Sequence, residues 1–275
     1  MAFPYLTDVL HALGINLTLP IPMFGLLVGI AFFTGKWVAE KETSRLMPAL
    51  DPEVVGNTCI FGFLAGLLGA RIFHVLEYPA DFIADPLKMI FSRGGFTIFG
   101  GLIVGMAVSV WYARRKGASI PLLLDAAGPA QILAYAIGRV GCQISGDGDW
   151  GIAVTSPAPA WLPDWLWAQT YDGNIAGAVI PPPGVYPTPI YETLMSLLAF
   201  ALLWRLRKHS HAAGWLFGVY LLLAGIERFL VELIRVNSKY HLFGIDVTQA
   251  QLISTGCVIV GIIVMWRRWA RVPTP

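Results

Sequence analysis

Long apolar stretches recur near residues 20–38, 54–76, 94–113, 120–141, 188–206, 213–235 and 246–266, with polar breaks between them. Each is close to the roughly 20 residues that a helix needs to cross the hydrocarbon core. No stretch alternates with period two over several segments, as a membrane β-barrel would require. The pattern predicts an all-α integral membrane protein: seven transmembrane helices in a single membrane domain over residues 1–275, with a long loop or head at 142–187. No internal repeat supports an inverted-repeat transporter.

Lysine and arginine give the spans a direction. Lys36, Lys41 and Arg45 follow the first span; Arg114, Arg115 and Lys116 the third; Arg205, Arg207 and Lys208 the fifth; Arg267, Arg268 and Arg271 the last. The opposite face carries only Lys88, Arg93 and Lys239. Cations favour the cytoplasmic side, which puts the N-terminus outside, the C-terminus in the cytoplasm and the 142–187 loop on the outer face. Seven spans satisfy this alternation; six or eight do not. That loop has no Lys or Arg but carries Trp150, Trp161, Trp165 and Trp167, so part of it is expected on the outer leaflet.

Composition agrees. Of 275 residues 56% are hydrophobic and 13% charged, against about 25% charged in soluble domains. The net charge of +2 and the lack of a basic block give no sign of a nucleic-acid partner. Cys59, Cys142 and Cys257 are far apart, which fits neither a disulfide framework nor a metal site. The first 19 residues lack Lys and Arg, unlike a cleaved signal peptide. Gly25/Gly29, Gly62/Gly66, Gly101/Gly105 and Gly214/Gly218 are spaced for close helix packing.

Charges inside a span cost several kcal/mol, of order 3, unless paired or wetted. Here they gather in the outer parts of four spans, with Asp125 the exception. Arg71, His74 and Glu77 lie near one face of the second span, Arg139 ends the fourth, and Tyr191 and Glu192 open the fifth. The sixth carries Glu227, Arg228, Glu232 and Arg235, the last three on one face. Thr188 and Pro189 suit N-cap and N1 positions. This distribution argues against a through-pore and for a site open to the outer leaflet. Plainer readings exist: Arg71 snorkelling, His74 and Cys142 packing, Arg228–Glu232 a structural ion pair, Arg235 interfacial. Arg139 has no carboxylate three or four residues away. Its partner is therefore on another helix, in the next loop, or a ligand such as a lipid phosphate, which a guanidinium fork suits. Gly138, Gly141, Gly146, Gly148 and Gly151 would let backbone approach a headgroup.

Five segments, in order, resemble one bacterial family, the phosphatidylglycerol–prolipoprotein diacylglyceryl transferases. "GRVGCQISGDGDWG" resembles its G-R-[IV]-G-N-F-x-N-G-E-x-[WY]-G signature, and "RGGFTIFGGL" its glycine-rich third span. "YPTPIYETL" resembles P-[ST]-Q-L-Y-E, "GIERFLVELIR" resembles F-R-F-x-V-E-F-x-R, and "GIDVTQAQLIS" the start of the last span. The resemblance implies a multi-pass protein of the bacterial plasma (inner) membrane, with no cofactor. It would move a diacylglyceryl group from phosphatidylglycerol, a membrane lipid, to the lipobox cysteine of a prolipoprotein signal peptide, forming a thioether as glycerol phosphate leaves. Such chemistry needs a thiolate and cations beside the departing phosphate.

By matching motif position the implied catalytic residues are Arg139 and Arg228; His74, which shares a helix face with Arg71 at the outer end of its span, is the expected base. The substrate-binding set is Arg71, Glu77, Cys142, Gly146, Asp147, Asp149, Tyr191, Glu192 and Glu232. Three positions depart from the family: Phe99 stands where it has histidine, Cys142 where it has asparagine, and Phe24 where it has tyrosine. Phenylalanine cannot take a proton, so His74, Glu77, Asp147 and Asp149 are the nearby substitutes. Two other readings remain: a paralogous phospholipid-dependent transferase with a different acceptor, and a non-catalytic lipid-binding membrane protein.

Overall fold

The computed structural model describes residues 2–91, 97–209, 211–242 and 245–269. Arg93, Gly94, Gly95 and Arg271, all used in the sequence reading, lie outside them. The chain forms α1 (Leu6–Ala12), α2 (Met23–Leu46), α3 (Glu53–Glu77), α4 (Pro79–Ala84), α5 (Pro86–Phe91), α6 (Ile98–Arg115) and α7 (Ile120–Ser145). Then follow α8 (Asp164–Trp167), α9 (Thr188–Leu206), α10 (Trp215–Glu232), β1 (Lys239–Leu242), β2 (Ile245–Thr248) and α11 (Gln249–Arg267).

Among the described residues five helices are long and apolar enough to cross a membrane: α2, α3, α7, α9 and α11. The protein is therefore a multi-pass helical membrane protein. Two further helices of 18 residues, α6 and α10, lie on the remaining apolar stretches. Each carries charge toward its C-terminal end, α6 in Arg114–Arg115 and α10 in Glu227, Arg228 and Glu232. The pattern did not foresee the antiparallel hairpin β1–β2, which pairs Lys239 with Thr248 and Tyr240 with Val247. Thr248 then caps α11, accepting a bond from the Gln251 amide at 3.2 Å, while Gln251 reaches back to the Thr248 amide at 2.9 Å.

The chain divides into two compact units, residues 39–126 and residues 1–38 with 127–275, the boundaries falling inside α2 and α7. In the first, α3 packs on α6 through glycine. A Cβ at Gly69 would meet the Gly100 carbonyl at 2.5 Å, and one at Gly105 the Gly62 carbonyl at 2.8 Å. These are backbone-to-backbone contacts that only small residues permit.

In the second unit, Ile132 of α7, Ala199 and Leu203 of α9, and Trp215, Leu216 and Val219 of α10 form the buried core. Gly218 and Gly261 bring α10 and α11 together. The Gly25/Gly29 pair does not serve as expected, since both face open space. Gly35 packs on Ala134 of α7, and Leu27 on Gly141, so the contact face of α2 is rotated away from the glycine pair.

Candidate active site

The last two turns of α7 carry Arg139 and Cys142, and the chain then leaves the helix at Gly146. Gly146 takes φ +61, and Gly148 φ +102, a conformation that side chains disfavour. A Cβ at Gly146 would also lie 2.7 Å from that of Asn174. The helix end is held from outside. The Phe3 amide donates to the Ile144 carbonyl (2.7 Å), and the Ile175 amide to that of Ser145 (3.0 Å). Such bonds satisfy carbonyls that a helix C-terminus leaves open.

The following strand-like segment is clamped on both sides. Gly151 donates to Tyr186 O, Ile152 to Ile234 O, and the Thr188 hydroxyl to Asp149 O at 2.6 Å. Thr188 is thus the first residue of α9 rather than its N-cap, which is Pro187, and its hydroxyl fixes the site loop instead of capping the helix. A Cβ at Gly151 would meet the Ile234 carbonyl at 2.7 Å, which explains glycine there.

These restraints deliver Asp149 to two guanidiniums. Arg139 Nη1 donates to one of its oxygens and Arg235 Nη2 to the other. Partial burial works against the charge of Asp149, but Arg139 and Arg235 outweigh it and hold the carboxyl below its usual range. Behind it lies Glu192 of α9, with a fully buried side chain. Its Oε1 accepts from Arg139 Nη2 at 3.0 Å, from the Tyr135 hydroxyl at 2.8 Å and from Arg228 Nη1 at 3.5 Å. Its Oε2 faces Arg235 Nη1 at 3.6 Å, an ion-pair distance without hydrogen-bond geometry. Arg139 Nε donates to the Tyr135 hydroxyl at 3.0 Å, and Nη1 to Cys142 Sγ at 3.5 Å. On α10, Arg228 Nη2 lies 2.6 Å from Glu232 Oε2, close contact rather than an aligned bond. Asn237 donates to Glu232 Oε1 at 2.7 Å.

Three arginines thus face three carboxylates at the ends of α7, α9 and α10. The side chains of Arg139 and Arg235 are 12% and 9% exposed, that of Arg228 29%, so Arg228 is the guanidinium most open to a ligand. Local charge spacing missed two members: Tyr135, and Arg235, read only as interfacial but turned toward Asp149 and Glu192. The i, i+4, i+7 relation of Arg228, Glu232 and Arg235 was the available signal.

The other expected site residues have these surroundings. Cys142 is buried, with Asp147 beside it. Asp147 accepts from the Asp149 amide at 3.2 Å. The ligand atoms of Cys142, Asp147 and Asp149 lie within 4.8 Å of one another and could hold a metal ion, but both Asp149 oxygens are already taken by arginines. Tyr191 points away to α8, donating to Leu166 O at 2.6 Å. Phe24 packs on Gly141. Arg71, His74 and Glu77 belong to the other unit. There Arg71 donates to Met89 O at 2.9 Å, the His74 ring lies 4.9 Å from that of Tyr78, and Glu77 accepts from Thr97 at 2.8 Å. Phe99 is an exposed ring at the start of α6.

The chain matches the family profile described as "Prolipoprotein diacylglyceryl transferase" over residues 11–267. It is 28% identical to the phosphatidylglycerol–prolipoprotein diacylglyceryl transferase of Vibrio vulnificus, over 98% of this chain and 93% of that protein. It is 31% identical to the enzyme of that name from Bacillus cereus, over 89% and 86%, and 28% to that from Leptospira interrogans, over 90% of each. With these matches spanning nearly all of the chain, the arginine–carboxylate cluster finds its setting: the protein belongs to the prolipoprotein diacylglyceryl transferase family.

Proposed function

We infer that this protein is a transferase of the bacterial plasma membrane that moves a diacylglyceryl group from phosphatidylglycerol to the lipobox cysteine of prolipoproteins. Family membership carries the reaction. Phosphatidylglycerol and a prolipoprotein are its substrates. The single domain spans the membrane seven times with the N-terminus outside, and the site faces the outer leaflet. The charge alternation of the loops supports that direction.

In the reaction the acceptor thiolate attacks the glycerol carbon that bears the phosphate. A C–S bond forms, the C–O bond breaks, and glycerol phosphate leaves with the electron pair. Arg228 and Arg139 bind the phosphate and stabilise the charge that grows on it. Support comes from Arg228 being the more open guanidinium, and from Arg139 being held in place by Tyr135, Glu192 and Asp149. His74 takes the thiol proton, since Phe99 cannot. Cys142, Gly146, Asp147, Asp149, Glu192 and Glu232 complete the substrate-binding set around the arginines, and Arg71 and Glu77 serve beside His74. The purified protein, given phosphatidylglycerol and a lipobox peptide, is expected to add diacylglyceryl mass at the cysteine. An unmodified peptide would refute the assignment.

A further inference from the structure

Glu227 takes no part in the reaction as described, yet it is a carboxyl inside an apolar helix, 5% exposed. It stands one residue before Arg228, where the F-R-F-x-V-E-F-x-R segment has phenylalanine. Both of its oxygens lie 2.9 Å from the hydroxyl of Ser196, itself buried on α9 one turn beyond Glu192. A hydroxyl has one proton to donate. Two equal contacts to it are both satisfied when the carboxyl carries a proton, donating to Ser196 Oγ while accepting from it. The charges that face Glu227 are Glu192 from α9, Arg139 from α7 and Arg228 from α10. The hydroxyls of Tyr135 and Tyr220 lie within the same electrostatic reach. Arg139, Arg228 and Arg235 are already matched by Asp149, Glu192 and Glu232, so an ionised Glu227 is a fourth, surplus carboxylate.

Given the diacylglyceryl-transfer reading, on which this rests, we infer that Glu227 is a positioning residue whose proton keeps the arginine cluster open to the lipid phosphate. The sign follows from the charge. As pH rises Glu227 loses its proton, adds one negative charge beside Arg228 and Arg139, and competes with the phosphodiester, which stays an anion throughout. Headgroup affinity therefore falls toward alkaline pH. The thiol's own ionisation acts on kcat, so the two separate.

The test uses the full-length protein in phosphatidylglycerol-containing nanodiscs. KM for the lipid and kcat are measured between about pH 6 and about pH 9 in the parent, Glu227→Gln and the apolar, similarly sized Glu227→Met. The parent KM should rise roughly tenfold across that range, as expected for one added charge at short range, and by less than about twofold in both variants. Infrared difference spectra, which need no turnover, should show a carboxylic-acid C=O band at neutral pH that vanishes in Glu227→Gln. A parent that transfers nothing would overturn the functional reading and leave the infrared result to decide on Glu227. A KM rise unchanged in Glu227→Gln, or no acid band in the parent, would overturn this inference.

Discussion

Arg139 and Arg235 share one carboxylate: each guanidinium takes one oxygen of Asp149. The first comes from the end of α7, the second from just past α10, and the bridging aspartate from the loop between α7 and α9. Asp149 thus joins helices that local sequence does not connect, and several expectations hinge on it.

Acid should release this bridge. Asp149 has a lowered pKa in the folded protein. Its contribution to stability is therefore fully present above the unfolded value of about 4 and lost as pH falls through the lower folded value. Thermal unfolding in detergent should show the parent losing stability over that acid window. Asp149→Asn should be less stable at pH 7 and flat over the same window. A variant with the parent's acid slope would place the titrating group elsewhere.

Arg139→Ala should abolish transfer while the protein still inserts and purifies. Arg139→Lys should recover only part, because an ammonium cannot reproduce four directed contacts to Tyr135, Cys142, Asp149 and Glu192. Turnover retained by Arg139→Ala would remove this residue from the chemistry.

His74→Gln tests the base. Loss of roughly 10²-fold or more in rate is expected. An unchanged rate would leave thiol activation to the arginines, since a free cysteine is already a few per cent thiolate at pH 7.

Cys142 sits 3.5 Å from Arg139 with its side chain buried. That surrounding suits a small polar packing group, so Cys142→Ser should keep activity within about threefold, far less than the loss expected of a nucleophile. Labelling of Cys142 by the lipid, seen by mass spectrometry, would argue the reverse.

The sequence made the helices legible because each apolar stretch is long and bounded by charge. It also marked Arg139 as needing a distant partner, and Arg228, Glu232 and Arg235 as one face. The partners themselves were out of reach: Asp149 and Glu192 meet Arg139 only through tertiary packing, which no local period encodes. Arg235 looked interfacial because it falls at the end of its apolar stretch, yet the Gly151–Ile234 backbone contact folds the loop over it. Gly25 and Gly29 carried the right spacing for a helix contact. Spacing specifies a possible face, and α2 uses another, through Leu27 and Gly35.

The most direct measurement is intact-mass and fragment analysis of a synthetic lipobox peptide incubated with phosphatidylglycerol and the purified protein, with glycerol phosphate assayed in the same tube. Diacylglyceryl mass on the cysteine sulfur and an equal amount of glycerol phosphate are the predicted result, both absent with Arg139→Ala. A peptide that stays unmodified while the protein binds the lipid, or a diacylglyceryl group found on some other acceptor, would contradict it.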